Sequence, residues 1–275
     1  MTAPTLILAG LPGRMAAAVA EEATRQGWAM AEWAISSAAR AGTRLAAGGR
    51  DFELVTIDDI ARRVVSVANP MVVDFTTPGA ALGNLAVYTR LGLPVVMGTT
   101  GFDRATAEAL VRGSVGRAVV APNMAAPIVA LQAALGWMAG EFPGALKDYG
   151  LAVTESHQST KRDVSGTARA LLPLFGQLGA RVAEPPIEAI RDVDRQRELG
   201  VPEEHLAGHG WHWYTATSPG GDVRLGLSHC INGRRVYAEG TLMAARFLAA
   251  QGRPGAVYTM QDVLRGGATA RPANT

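Results

Sequence analysis

The sequence predicts an α/β protein. An N-terminal doubly wound, Rossmann-type domain with a parallel sheet precedes a C-terminal α+β domain whose sheet is mainly antiparallel. Three observations carry this reading. Short apolar runs alternate with helical stretches over the first 125 residues, a spacing that implies parallel strands joined by right-handed crossovers. Those runs are continuous rather than alternating, as in strands covered on both faces. From Ile187 onward, strand-like segments separated by the turn signals "SPGGD" and "NGR" replace that rhythm.

In chain order, "TLILAG" from Thr5 reads as the first strand, Gly13–Gln26 as an alanine-rich helix and "WAMAEWAIS" from Trp28 as the second strand. "MVVDF" from Met71, "PVVMG" from Pro94 and "AVVAP" from Ala118 are three more strands, with helices over Ala80–Leu91 and Asp103–Gly113 between them. An apolar helix over Ala126–Phe142 leads to the strand "YGLAVTES" and then to a helix over Gly166–Leu178. "IEAIRD", "GWHWYTATS", "DVRLGLSHC" and "RRVYAEG" read as strands. The stretch from about Gly240 to Gln251 and the tail "VYTMQDVLRG" read as helical, and "GGATARPANT" as a frayed end. This organisation divides the chain into a nucleotide-type doubly wound domain at 1–125 and 241–275 and an α+β domain at 126–240. The sheet of the second domain is the expected contact surface of a homo-oligomer, dimer or tetramer, because it would otherwise leave apolar surface in water.

Composition narrows the class. With 48% hydrophobic and 18% charged residues the chain is globular rather than disordered. A formal net charge of +2 without a long basic block argues against a nucleic-acid or membrane-surface binder. The single Cys230 excludes an intrachain disulfide and fits a reducing compartment. Ala118 to Gly140 carries no charge, but Pro122, Asn123, Pro127 and Gln132 interrupt it, so a strand, a loop and a helix read it better than a membrane span. The N-terminus lacks the basic stretch of a secretory signal, and a cytoplasmic protein is expected.

The candidate chemistry falls at strand ends. In "ILAGLPGRMAAAV", Gly10 ends a strand and Gly13 opens a helix whose free N–H groups and dipole suit a phosphate. Pro12 and Ala16 depart from the stronger glycine fingerprint. The second strand ends in Ser36, Ser37 and then Arg40, with no carboxylate for a ribose diol; this favours NADPH over NADH. "VVDFTTP" and "VMGTTGF" follow equivalent parallel strands, so Thr76, Gly98, Thr99, Thr100 and Gly101 are expected to line one crevice.

The stretch "TESHQSTKRDVSGTARAL" concentrates polar residues at a strand-to-helix junction. His157 and Lys161 can donate a proton there, while Ser165, Gly166 and Thr167 open a helix able to hold a carboxylate. Only Lys147 and Lys161 among 26 basic residues are lysines, which singles out Lys161. A simpler reading is an N-capped helix with Ser165 or Asp163 as the cap. His205, His209 and His212 in "EEHLAGHGWHW" lack an acidic or cysteine ligand at zinc-site spacing, and no metal is expected.

Together these motifs resemble the 4-hydroxy-tetrahydrodipicolinate reductase family, in order and over nearly the whole chain. "AGLPGRM" is similar to the family's phosphate turn, "VVDFTTP" and "VMGTTGF" to its crevice loops, "APNMA" to its interdomain segment and "ESHQSTKRDVSGTA" to its active-site signature. Gln158, where common bacterial members have a second histidine, and "GVPEEHLAGHGWHWYTATSP" resemble the plant-type branch. The resemblance implies hydride transfer from NAD(P)H to a conjugated cyclic imine in the diaminopimelate route to lysine, giving tetrahydrodipicolinate. It implies His157 and Lys161 as acid candidates, and Thr100, Lys161, Ser165, Gly166 and Thr167 as contacts to the dicarboxylate. It places Gly10, Gly13, Arg14 and Met15 at the cofactor's pyrophosphate, Gly98 and Asn123 toward its nicotinamide end, and Phe75, Thr76 and Thr100 among the other cofactor contacts. It makes 1–125 with 241–275 the dinucleotide-binding domain and 126–240 the substrate-binding and oligomerisation domain. A reductase of another cyclic imine and a non-catalytic NADPH-binding sensor are the alternative readings.

Overall fold

In the computed structural model, which describes residues 3–184 and 186–266, the chain divides into two compact units, Met1–Ala126 with Arg235–Thr275, and Pro127–Arg234. The first runs β1 (Thr5–Ala9), α1 (Arg14–Arg25), β2 (Trp33–Ile35), β3 (Arg44–Ala47), β4 (Arg50–Val55), α2 (Ile60–Arg63), β5 (Pro70–Asp74), α3 (Pro78–Arg90), β6 (Pro94–Met97), α4 (Arg104–Arg112) and β7 (Arg117–Val120). Then follow α5 (Ala126–Glu141), β8 (Gly150–His157), α6 (Gly166–Gln177), β9 (Arg181–Val182), β10 (Glu188–Ile190), α7 (Val193–Glu198), β11 (His209–Thr217) and β12 (Arg224–Asn232). The chain returns to the first unit with α8 (Arg235–Gln251), β13 (Val257–Tyr258) and α9 (Met260–Leu264).

The first sheet has the order β13-β7-β6-β5-β1-β2-β4-β3 and is parallel except for the β3–β4 hairpin. Continuous apolar runs bury its central strands on both faces: Leu6, Ile7, Leu8 and Ala9, and likewise Val95, Val96 and Met97, are almost fully enclosed. The strand order reverses at β1, which has β2 on one side and β5 on the other, so the carboxyl ends of β1 and β5 form the switch point where such sheets bind ligands. Register aligns that rim. Ala9 stands beside Asp74, Asp74 beside Met97, and Met97 beside Val120. The ladder continues one residue further, with Phe75 N donating to Ala9 O, Gly98 N to Asp74 O and Ala121 N to Met97 O.

Several sequence expectations need correction here. "RRVYAEG" is not a strand but the first turns of α8. Val236 and Tyr237 favour strand locally, yet Ala238, Thr241, Leu242, Ala245 and Leu248 recur at helical spacing and are all buried. Gly240 sits where this helix meets the chain after β7, and a Cβ there would lie 1.7 Å from Met124 O. "NGR" therefore joins β12 to a helix rather than closing a hairpin. The tail is not helical throughout: Val257–Tyr258 adds a parallel strand beside β7, and α9 begins at the Thr259–Asp262 capping box. The second strand is confined to Trp33–Ile35, with Met30 alone bridging Leu6, and the β3–β4 hairpin was not anticipated. All of "GGATARPANT" after Gly266 lies outside the described residues.

In the second unit, β10-β8-β11-β12 form a sheet to which β9 adds a short parallel pair with β8. The long ladders, β8–β11 and β11–β12, are antiparallel; β10 is parallel to β8. Leu151, Val153, Tyr214 and Ala216 on one face pack with Leu135 and Ala139 of α5 and Leu171 and Phe175 of α6. The opposite face carries Thr154, Trp211, Trp213, Ser228 and Cys230, all partly or fully exposed. Among the described residues no helix is long and apolar enough to cross a membrane.

Candidate active site

At the carboxyl rim of the first sheet the backbone forms a close-fitting cradle. Gly10 has φ 111°, and a Cβ there would meet Phe75 O at 2.3 Å; at Gly13 it would meet Gly10 O at 2.6 Å. Gly13 caps α1 without a side-chain hydrogen bond, and Arg14 and Met15 follow at the helix start, so the N–H groups at this terminus are available to a phosphate. Ala16, the departure from the glycine fingerprint, is buried beneath the turn. These features fit a dinucleotide pyrophosphate. Ser36 Oγ donates to Leu11 O at 2.5 Å and so braces the turn, while Ser37 and Arg40 lie exposed in a short 3-10 turn after β2.

One buried carboxylate organises the other two crevice loops. Asp74 Oδ1 accepts from Thr76 N (2.9 Å), Thr76 Oγ1 (2.7 Å) and Thr99 Oγ1 (2.8 Å), while Oδ2 accepts from Tyr88 OH (3.0 Å) and Asn84 Nδ2 (3.4 Å). Burial and the Asp74 carboxylate push the Tyr88 phenol well above its usual pKa. The Thr76 and Thr99 hydroxyl protons both go to Asp74, and Thr99 is buried. Thr100 and Gly101 remain exposed on the same loop. Gly98 accommodates the Phe75 ring, since a Cβ there would lie 2.2 Å from it. Asn123 accepts from Ala125 N (2.9 Å) and stands two residues beyond the β7 rim.

The polar junction in the second unit is built around a fully buried Glu155. Its Oε1 pairs with Arg191, and its Oε2 accepts from Ser165 N at 2.9 Å. Arg191 also donates to Lys161 O (2.9 Å) and to Asp163 O (3.3 Å), so one guanidinium gathers the loop from 161 to 165. Ser165 caps α6 by accepting from Thr167 N (3.2 Å). Gly166 lies exposed at the helix start with no atom within 4 Å of where a Cβ would stand. Lys161 Nζ is 3.5 Å from Asp163 Oδ2, with its side chain 21% exposed. Arg162 is exposed.

His157, the last residue of β8, faces the same side of the sheet as Glu155. Its Nδ1 lies 3.0 Å from His209 O; a carbonyl only accepts, so Nδ1 carries the proton and the neutral ring has its lone pair on Nε2. Nε2 is buried without a protein partner. Gly210 makes room for the ring, as a Cβ there would lie 2.9 Å from Cε1. Gln196, itself buried, donates to His157 O at 2.7 Å. Burial lowers the His157 pKa to about 4 against the opposing pull of Glu155, and Lys161 and Arg191 lower it further.

The side chains of His205, His209 and His212, neighbours in the sequence, do not form one cluster. His209 donates from Nδ1 to His205 O and accepts from Ser156 Oγ at 2.8 Å on one side of β11, while His212 projects from the other. His212 instead joins His157, at a ring-centroid distance of 5.1 Å, and Glu155, 3.8 Å from its Nε2. Nitrogen and oxygen atoms of Glu155, His157 and His212 lie within 4.8 Å of one another, the spacing of a metal site. Its charge points elsewhere: Arg191 already neutralises Glu155, and Lys161 adds a further positive charge, so the locale attracts an anion. Sequence reasoning missed Glu155, Arg191 and Gln196, and grouped His212 with the wrong histidines. The one local sign of Glu155 was its place in an otherwise apolar alternation, "LAVTESH".

Residues 5–124 match the family model "Dihydrodipicolinate reductase, N-terminus", and residues 129–264 match "Dihydrodipicolinate reductase, C-terminus". The chain is 39% identical over 271 residues to 4-hydroxy-tetrahydrodipicolinate reductase 1, chloroplastic, of Arabidopsis thaliana, covering 96% of this chain and 78% of that one. It is 34% identical over 227 residues to the 4-hydroxy-tetrahydrodipicolinate reductase of Thiobacillus denitrificans, covering 76% and 78%. Among solved structures, the dipicolinate-bound dihydrodipicolinate reductase from Paenisporosarcina sp. TG-14 shares the fold, with TM-score 0.68, 16% identity, and coverage of 95% of this chain and 99% of that one.

The buried imidazoles give the protein an acid-side weakness. His157, His209, His212 and His229 are all shifted downward, chiefly by burial, so each binds its proton more readily in the unfolded chain. Their stabilisation is complete above the ordinary histidine pKa and is lost as pH falls toward the folded values. Urea midpoints are expected to fall steadily from pH 6.5 to about pH 4, with a shallower slope in His212→Phe. Midpoints flat across that window would contradict this assignment.

Proposed function

The chain belongs to the dihydrodipicolinate reductase family, and on that premise we propose that it reduces the dehydrated form of 4-hydroxy-tetrahydrodipicolinate to tetrahydrodipicolinate, with NADPH as the preferred cofactor and Lys161 as the proton donor. It is an NAD(P)-dependent oxidoreductase with a Rossmann-type domain. The observation that carries the substrate assignment is the loop gathered by Arg191, which holds the Lys161 and Asp163 carbonyls and runs into the Ser165-capped start of α6 four residues after Lys161. A cation and a helix N-terminus with surplus positive charge suit a dicarboxylate, and they compensate the charge that grows in the transition state.

The cofactor, when bound, supplies hydride to the conjugated imine. Gly10, Gly13, Arg14 and Met15 hold its pyrophosphate, Ser37 and Arg40 its ribose end, and Phe75, Thr76, Gly98, Thr100 and Asn123 the nicotinamide side. Ser165, Gly166 and Thr167 hold a substrate carboxylate through hydroxyl and backbone donors. Reduction adds a proton as well as hydride. His157 is neutral near pH 7 with its proton on Nδ1, so Nε2 accepts rather than donates. Lys161 Nζ carries three protons and is the donor. His157 Nε2 orients the substrate or its attendant water.

Supplying the condensation product of pyruvate and aspartate semialdehyde should give steady NADPH oxidation, with Lys161→Ala lowering kcat by at least ~100-fold. NADPH binding without turnover would point to a relative acting on another cyclic imine, or to a sensor; full activity in Lys161→Ala would remove Lys161 from the chemistry.

The exposed Arg40 and the absence of a carboxylate from Ser36 to Arg40 support a 2′-phosphate contact. Arg40→Ala should raise KM for NADPH about 10-fold and leave KM for NADH within about 2-fold. An equal effect on both would refute the contact.

The open sheet face bearing Trp211 and Trp213 supports a homo-oligomer assembled through the second unit. Sedimentation should show a multiple of 28.7 kDa that Trp213→Glu reduces to the single-chain mass. A wild-type protein already at the single-chain mass would overturn it.

A further inference from the structure

At the amino ends of β1, β5, β6 and β7, opposite the phosphate cradle, the first unit contains a cleft of roughly 790 Å³, within the range of small-molecule sites. Two arginines, Arg117 and Arg246, line it, and the thirteen described lining residues include no Asp or Glu. The nearest paired acid, Glu22 behind Gln26, is already engaged by Arg25 and Arg235. None of these residues takes part in the reaction proposed above.

Arg117 is held from outside the cleft, and Arg246 by two residues of its wall. Arg117 Nε donates to Leu248 O at 3.4 Å, and its stem occupies the space left by Gly252, where a Cβ would lie 2.5 Å from Arg117 Cδ. Arg246 lies over the Trp28 ring, 5.1 Å from its centroid, and donates to Gln26 Oε1. Gln26 cannot turn away, because its own amide N–H donates to Glu22. Each arginine spends one described hydrogen bond on its lock and retains further N–H donors. Two cations line the cleft with no acid among its described lining residues, a balance that favours an anionic occupant. Trp28, partly exposed, and Met71 supply a flat apolar wall.

We propose that this cleft is a second ligand site, for a small organic anion with a planar ring bearing carboxylate or phosphate, gripped by Arg117 and Arg246 with its ring against Trp28. The locks pre-pay the ordering of two long side chains, which is what separates a built site from a basic surface patch.

The test is calorimetric titration of the full chain with phenyl phosphate and with benzene-1,3-dicarboxylate, alongside inorganic phosphate. One site per chain with Kd below ~1 mM is expected for at least one aryl anion, weakened at least ~10-fold in Arg117→Gln and in Arg246→Gln and unchanged in Lys161→Ala. Trp28→Leu should weaken the aryl anions and leave inorganic phosphate untouched. NADPH affinity equal to wild type certifies each variant as folded; if Arg117→Gln fails that check, Arg246→Gln and Trp28→Leu decide. The proposal is overturned by no saturable binding at ~10 mM, by binding that survives the arginine variants, or by binding that Lys161→Ala abolishes.

Discussion

The pairing of Glu155 with Arg191 is the interaction on which the candidate site depends. A buried ion pair rarely adds much net stability, since desolvating both charges costs about as much as their attraction returns. Its value here is geometric. The acid on β8 is 0% exposed and has both oxygens occupied, one by Arg191 and one by Ser165 N. The guanidinium, fixed in turn by the acid, holds two loop carbonyls at 161 and 163. Losing either partner would leave a buried charge unpaired and release the loop that carries Lys161. The polar residues of the junction are therefore not independent contributors; they share one anchor, and half of it, Arg191, comes from outside the motif.

The first unit solves its own version of the problem with Asp74. That carboxylate also lies inside the core and also accepts from every side, tying together the loops that follow β5 and β6. In both units an acid is spent on architecture, where it faces donors rather than solvent. The consequence is electrostatic. With Asp74 and Glu155 withdrawn into their networks, the charges left to meet an incoming anion are the start of α1 in one unit, and Lys161 with the start of α6 in the other.

Legibility followed the range of the determining interaction. Helices and parallel strands were readable because apolar spacing is local, and the glycine turn was readable because Gly10 and Gly13 mark a strand-to-helix boundary, even though what crowds Gly10 is the distant Phe75 O. Glu155 was in plain view yet silent, because a single acid in a strand looks like a solvent-facing residue until its partner is known. The partner, Arg191, is one of many arginines and sits 36 positions downstream. His212 was noticed but grouped with its sequence neighbours, whereas strand alternation sends His209 and His212 to opposite faces of β11. The start of α8 failed for a related reason: Val236 and Tyr237 argue for strand, and tertiary burial of Ala238, Thr241 and Leu242 overrules them.

The division of labour between Lys161 and His157 follows from the same electrostatics. Positive charge nearby disfavours a second cation, and the buried His157 is the group that yields its proton. His157 is enclosed, its Nδ1 committed to His209 O, with Lys161 and Arg191 adding positive potential; it stays neutral. Lys161 is partly exposed, with its Nζ 3.5 Å from Asp163 Oδ2. On the proposed reading, a bound dicarboxylate would draw the His157 pKa upward. The imidazole then becomes a reserve acid only when substrate is present, so the protein need not sustain two adjacent cations in the empty site. The lysine remains the residue whose proton is available before the substrate arrives.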